Sequence, residues 1–213
     1  MTDADDQGRI YAGQSSAARK ADRRARFLQA GIEVIGVRGY AGTSVADICT
    51  AAGLARSQFY SEFANREALL VDVYDLIQDD ALAAVVAALD GHVDRDRRAL
   101  VAAAMTALVG SIGGDPRRAR ISYLEMLGVS DAVEQHRTRR RAQWVEFFEA
   151  TLRAEIWLDF VPPGGYRLAA TAFLGALTEI VSDWSRTAPP RPPIELIVET
   201  MVAVLGAFVP DLN

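Results

Sequence analysis

Cysteine is almost absent: Cys49 is the only one in 213 residues. A single thiol excludes an intramolecular disulfide and a cysteine-rich zinc cluster, and it suits a reducing compartment. Histidine is nearly as scarce. His92 and His136 stand alone, without HxxxH or paired-carboxylate spacing, so no metal site is expected. The basic-then-apolar order of a secretory signal is missing, and Asp3, Asp5 and Asp6 occupy its place. No stretch of about 18 residues is both free of charge and long enough to cross a bilayer. A soluble, cytoplasmic protein with no membrane partner is therefore expected. The chain also lacks a G-x-S-x-G elbow and a Walker loop, so neither an enzyme nor a bound cofactor is expected.

What is present is helix-forming. Half of the residues are hydrophobic, alanine, leucine, arginine and glutamate dominate, and runs rich in threonine, tyrosine and β-branched residues are few. That composition predicts an all-α protein with a sizeable core. The net charge of −5 is unevenly spread. Residues 1–8 carry three aspartates, residues 9–66 carry nine Lys/Arg against four Asp/Glu, and residues 67–213 carry 14 against 21. A basic segment followed by an acidic body is the asymmetry expected when only the first part meets phosphate.

Periodicity and punctuation divide the chain into about nine helices without a convincing strand. Residues 1–18 are polar and aperiodic and read as a flexible arm. From Arg19, Phe27, Leu28, Gly31, Val34 and Ile35 recur at helical steps, and Gly39 stops them. Ser44 and Asp47 make a capping-box pair for a short second helix that Gly53 ends. A third runs from about Ala55 to Ser61, and Asn65 caps a long fourth helix with a stripe of Leu69, Leu70, Val73, Leu76 and Ile77. Breaks follow at Gly91–Asp96, at Gly113–Pro116, at Gly128, at Pro162–Gly165 and at the prolines between 189 and 193. Residues 116–128 and 131–156 each read as one continuous helix. The expected domains are 19–65 and 66–213.

Residues 43–70 are the informative stretch. Two short helices joined by Ala52-Gly53-Leu54 form a helix-turn-helix. Ala51 and Gly53 permit the close approach and the turn, while Val45, Ile48, Leu54, Phe59 and Phe63 anchor the motif inward. Arg56, Ser57, Gln58, Tyr60 and Ser61 are left for the outer face, and such side chains contact base edges and phosphates. An ordinary three-helix bundle has no use for them there.

In its residues 22–70 the chain resembles the TetR (tetracycline-repressor) family. The resemblance rests on Gly39-Tyr40-Ala41-Gly42-Thr43, then Ile48, Gly53-Leu54, Phe59-Tyr60, Phe63 and Asn65-Arg66-Glu67-Ala68-Leu69. It implies phosphate contacts from Thr43, Tyr60 and Arg66, with neighbouring Ser44 on the same side, and base contacts around Arg56 to Gln58. Glu62 stands where the family usually has histidine or tyrosine, which places a carboxylate near DNA or turned away from it. Arg66 replaces the commoner lysine and keeps the charge. The resemblance further implies a one-component regulator, a repressor by default, that binds palindromic double-stranded operator DNA as a homodimer. Binding of a small apolar effector in the second domain would shift the fourth helix and change the spacing of the two DNA-reading heads. A dimeric regulator blind to ligands is the alternative.

Beyond residue 70 the assignments come from side-chain type. Met105, Tyr123, Met126, Trp144, Phe148 and Phe173 are candidates for the effector pocket. Glu125 and Glu179 lie in apolar stretches and suit either a polar ligand group or a salt bridge. Arg137, Arg139, Arg140 and Arg141 read as the solvated face of a long helix. The final helix is apolar on several sides and needs a second surface. Small residues before it allow close approach, so Ala172, Gly175, Ala176, Ile197, Met201, Val204, Leu205 and Phe208 are the expected dimer interface.

Overall fold

A computed structural model describes residues 16–91, 96–156, 160–188 and 190–208. It is all-helical over these residues, with nine α-helices and no strand among them. The arm expected over residues 1–18 lies largely outside the described residues. Helix α1 already runs from Ser16 to Arg38, with Phe27, Ala30 and Ile35 buried.

The first three helices form a head. α1 stops where Gly39 adopts φ 80° and its N–H returns to the Ile35 carbonyl at 2.8 Å. α2 (Val45–Ala52) opens with the expected box: the Asp47 amide donates to Ser44 Oγ at 3.2 Å, and the Ser44 amide donates to the Asp47 carboxylate at 2.9 Å. Gly53, at φ 63°, makes the left-handed turn into α3 (Arg56–Glu62). The Gln58 side chain bends back to accept from the Ala55 amide at 2.9 Å. Phe27 meets Phe59 and Phe63 edge-on, with centroids 5.4 and 6.0 Å apart. Such edge-to-face pairs add to the stabilisation from burial itself.

α4 (Arg66–Asp90) starts at Asn65, whose side chain accepts from the Ala68 amide at 2.8 Å, and runs out of the head into the second layer. There it packs on α5 (Arg97–Gly113), and α5 in turn packs on α9 (Ile194–Phe208). α7 (Asp131–Thr151) and α8 (Gly165–Arg186) close the bundle. Two stretches expected as plain α-helix are not. α6 (Pro116–Arg120) passes into a π turn over Ile121–Glu125, and α7 passes into another over Leu152–Ile156. Sequence periodicity cannot see a π turn, because the extra residue it holds is one inserted position in an otherwise helical pattern.

The head and the body meet at α1 and α6. The approach is close: a Cβ added to Gly36 would lie 2.4 Å from Arg117 Cβ and 2.9 Å from its Cα. Gly36→Ala should therefore cost about 1–3 kcal/mol through overpacking, measured by urea unfolding. Gly110, with open space around its Cβ position, is the control. Gly110→Ala should be neutral or stabilising by up to about 1 kcal/mol, as removing a mid-helix glycine predicts. Equal behaviour of the two variants would show that α1 and α6 are not in contact in solution.

Candidate nucleic-acid interface and the cavities behind it

The outer face of the head is built by α3. Phe59 is fully buried, which turns Arg56, Ser57 and Tyr60 outward. Tyr60 is 53% exposed, and neither Arg56 nor the Tyr60 hydroxyl bonds to any described residue. Gln58 and Ser61 are less free. The Gln58 oxygen is occupied by its cap, and Ser61 Oγ donates to the Gln58 carbonyl at 2.7 Å. Ser44 is exposed, yet it is engaged with Asp47 through both its hydroxyl and its amide.

Two of the expected phosphate-contact residues also make internal bonds. Thr43 is 1% exposed, and its hydroxyl donates to the Gly39 carbonyl at 2.7 Å. Its side chain closes the α1–α2 turn rather than facing solvent, because that turn needs an internal donor for the carbonyl at its start. Arg66 donates to the Thr43 carbonyl, and its guanidinium lies 4.0 Å over the Tyr40 ring. It clamps α4 onto the same turn. Glu62 is turned away from the outer face: its side chain is 1% exposed and pairs with Arg23 at 3.2 Å. Position alone did not reveal this inward partner, which sits 39 residues earlier on α1.

The turn Gly39–Thr43 is also held from the body. Glu125 accepts from the Tyr40 amide at 2.7 Å and from Arg120 Nε at 2.7 Å, while Arg120 Nη1 donates to the Val37 carbonyl at 2.9 Å. Glu125 is thus a link between the π turn and the head, with no ligand needed to explain it. A second link is Ser130 Oγ, which donates to Glu67 at 3.0 Å and joins the starts of α7 and α4.

Behind these links lie two cavities. The first, about 50 Å³, lies between α4, α5, α7 and α8 and is bordered by Tyr123 and Trp144 of the expected set. Gln78 is buried there. It accepts from Trp144 Nε1 at 2.8 Å, and its amide donates to Ser122 Oγ at 3.4 Å. Burial pushes the Tyr74 phenol up to about 12 and the Tyr123 phenol up as well, so both stay protonated. The second, a small space of about 30 Å³, takes Met105, Phe148 and Phe173, together with Leu89, Leu100 and Leu205. Met126 borders neither: it is fully buried core.

Arg137 and Arg141 border the first cavity instead of forming a purely solvated face. The signal was available, since 137, 141, 144 and 148 share one face of α7 with two buried aromatics. Arg140 pairs with Asp79 at 2.5 Å, and Arg139 is exposed. Glu179 is exposed and lies 3.5 Å from Arg186.

The expected dimer set also divides. Ile197, Met201 and Leu205 are buried within one chain, where α9 meets α5, so they are core rather than outer surface. Gly175, Ala176 and Val204 are half-buried, and the side chain of Phe208 lies outside the described residues. Ala172 is exposed, and beside it Leu168, Thr171, Leu196, Thr200 and Ala203 face outward from α8 and α9. Among the described residues no single helix is long and apolar enough to cross a membrane.

Residues 27–73 match the profile of the family described as bacterial regulatory proteins, tetR family. No curated protein sequence matches the chain. Solved structures do share its fold. The transcriptional regulator FadR from Bacillus subtilis, in complex with stearoyl-CoA, superposes with a TM-score of 0.76 at 18% identity, over 87% of this chain and 98% of that one. AibR, in complex with isovaleryl coenzyme A and operator DNA, gives 0.66 at 22% over 88% and 98%. A tetR-family regulatory protein from Rhodococcus RHA1 gives 0.68 at 23% over 88% and 96%.

The link through Glu125 has a direct check. Glu125→Ala strands the Tyr40 amide and the Arg120 guanidinium and should cost about 1–3 kcal/mol. Hydrogen exchange at the Tyr40 amide should accelerate while exchange in the α5 core does not. An unchanged Tyr40 rate would mean that the bond does not persist in solution.

Proposed function

We propose that this chain, which belongs to the tetR family through its residues 27–73, is a homodimeric transcriptional regulator that binds operator DNA through α3 and responds to a small molecule held in its helical body. The observation that carries the reading is the outer face of α3. Arg56, Ser57 and Tyr60 project from a helix fixed by an aromatic core, and Arg56 has no hydrogen-bond or ion-pair partner among the described residues. A free guanidinium suits bidentate contact with a guanine edge or a phosphate. In the dimer the two recognition helices enter successive major grooves, about 34 Å apart. Repression by occluding a promoter is the simplest outcome, and a DNA target places the protein in the cytoplasm.

The structure-sharing regulators that hold acyl-CoA ligands support a small organic effector for this body. The route to the head is short. Ser122, Tyr123 and Glu125 share the π turn, with the first two lining the cavity and the third bound to Tyr40. An effector that prefers a displaced π turn shifts the head and lowers DNA affinity, and DNA reciprocally weakens the effector.

The partner subunit is a second copy of this chain, docked on the outward residues of α8 and α9. Leu168 is 59% exposed and Leu196 52%, and small Ala172 and Ala203 beside them allow close approach.

Arg56→Ala should weaken binding to a palindrome selected from random DNA by about tenfold or more, and Tyr60→Phe by less, with the dimer intact. Unchanged affinity in both would remove α3 as the reading helix. For the interface, Ala203→Glu should give a folded monomer by sedimentation with an unaltered helical spectrum. Leu205→Glu, by contrast, places a carboxylate in the core and should unfold the chain. A dimeric Ala203→Glu protein would move the interface elsewhere.

A further inference from the structure

The outer face of α3 has a lopsided supply of hydrogen-bonding groups. Gln58 is half-exposed, and its side-chain oxygen accepts from the Ala55 amide at 2.9 Å. A backbone N–H can meet only the oxygen of a carboxamide, so this bond also fixes which way the group is turned. What Gln58 has left for a partner is its NH2, with two donors and no acceptor. Arg56 is exposed, offers donors alone, and has no hydrogen-bond or ion-pair partner among the described residues. No carboxylate balances them. Glu62 is turned inward to Arg23, and Asp47, the one acid of α2, is engaged by Ser44 and Arg38. The hydroxyls of Ser57 and Tyr60 can donate or accept and so discriminate nothing.

Beside these donors lies a shallow depression between α2 and α3. Ala46, Cys49, Thr50, Leu54 and Ala55 line it, with Arg56 at its rim. Thr50 carries the only hydroxyl there, and that hydroxyl donates to the Ala46 carbonyl at 2.9 Å. Its methyl is therefore the free end of the side chain. With exposed Ala46 and Ala55 it makes a patch of methyl groups.

These two features match one half of the base code of the major groove. Guanine presents two acceptors there, O6 and N7, and thymine presents the O4 acceptor and a methyl group. Adenine and cytosine present amino donors instead, at N6 and N4. A donor of Arg56 or Gln58 held against an amino group leaves both unpaired, which costs more than a missing contact. The bidentate adenine contact usual for a glutamine needs its oxygen, and here that oxygen is spent on the start of the helix.

We infer that α3 is a reader of keto bases: Arg56 and Gln58 select guanine or thymine edges, and the methyl patch of Ala46, Thr50 and Ala55 receives the methyl group of a thymine. This rests on the reading of α3 as the DNA-binding helix. Gln58 is the specificity-determining residue, because one oxygen decides both its cap and its choice of base.

The test starts from the palindrome that the full-length protein enriches from random DNA. Gln58→Glu keeps an oxygen for the Ala55 amide, and so keeps the cap, but turns an acceptor outward. It should shift the enriched base at one position per half-site from guanine or thymine to cytosine or adenine, with an unchanged melting temperature. Gln58→Ala, which removes both groups, should relax the preference at that same position. On the wild-type site, each thymine is replaced in turn by deoxyuridine, which lacks the methyl. At least one replacement per half-site should weaken binding about threefold, the worth of one buried methyl. Thr50→Ser removes the protein methyl but keeps the hydroxyl bond and should abolish that loss, whereas Thr50→Val should retain it. The inference is overturned if Gln58→Glu enriches the wild-type site, if no thymine responds to loss of its methyl, or if Gln58→Ala relaxes a preference for adenine or none at all. Failure of the wild type to enrich any palindrome sinks the regulator reading as well. An enriched palindrome with any of those three results sinks only the base assignment.

Discussion

The structure depends on how one five-residue turn is held. Gly39 starts it in a left-handed conformation, and Thr43 closes it through its hydroxyl. Arg66 then clamps it from the start of α4, and Glu125 grips its Tyr40 amide from the π turn. Each of these contacts satisfies a polar group that would otherwise be stranded where packing excludes water. Because the turn leads into α2, and α2 into α3, its position sets where Arg56 and Tyr60 point. Its four holders come from the head, from the joining helix and from the body. The π turn and α3 are thus joined through this one turn.

Arginine carries much of this architecture. Of the 23 basic residues only Lys20 is a lysine. Arg24 donates to the Glu62 carbonyl at 3.1 Å, lies 4.7 Å over the Phe63 ring and pairs with Asp72. Arg26 reaches the Ala52 carbonyl at 2.7 Å, and Arg120 bridges Val37 and Glu125. A planar fork of donors can bond a carbonyl and a carboxylate at once and can stack on a ring, which a lysine ammonium cannot. The basic excess of residues 9–66 is thus partly internal cement. Simple counting of charge overstates how much of it is free for DNA.

The body follows the opposite rule. Its core is almost wholly apolar; of its buried polar residues Gln78 and Ser122 meet at the first cavity, where the Trp144 indole bonds to Gln78, while Ser182 and Ser185 lie further along α8. The small second space, by contrast, is lined almost entirely by apolar side chains. The π turn is where the polar cavity and the head-holding Glu125 meet. π turns are recurrent at functional sites because the added residue rotates the side chains that follow it.

The sequence determined everything that is decided within about four residues along the chain. Ser44 with Asp47, and Asn65, start their helices as read, and Gly39 and Gly53 stop theirs. The helix-turn-helix and the outward course of Arg56 and Tyr60 follow from the spacing of Phe59 and Phe63. Tertiary structure decided what depends on residues far apart. Glu62 is drawn inward by Arg23, and Thr43 is buried by the turn it closes. Half-exposed Arg141 borders a cavity, and Ile197, Met201 and Leu205 meet α5 of their own chain. A helix that is apolar on several sides carries no local mark distinguishing the face for its own core from the face for a partner. Periodicity records that a side is buried, and only the packed neighbours decide what it is buried against.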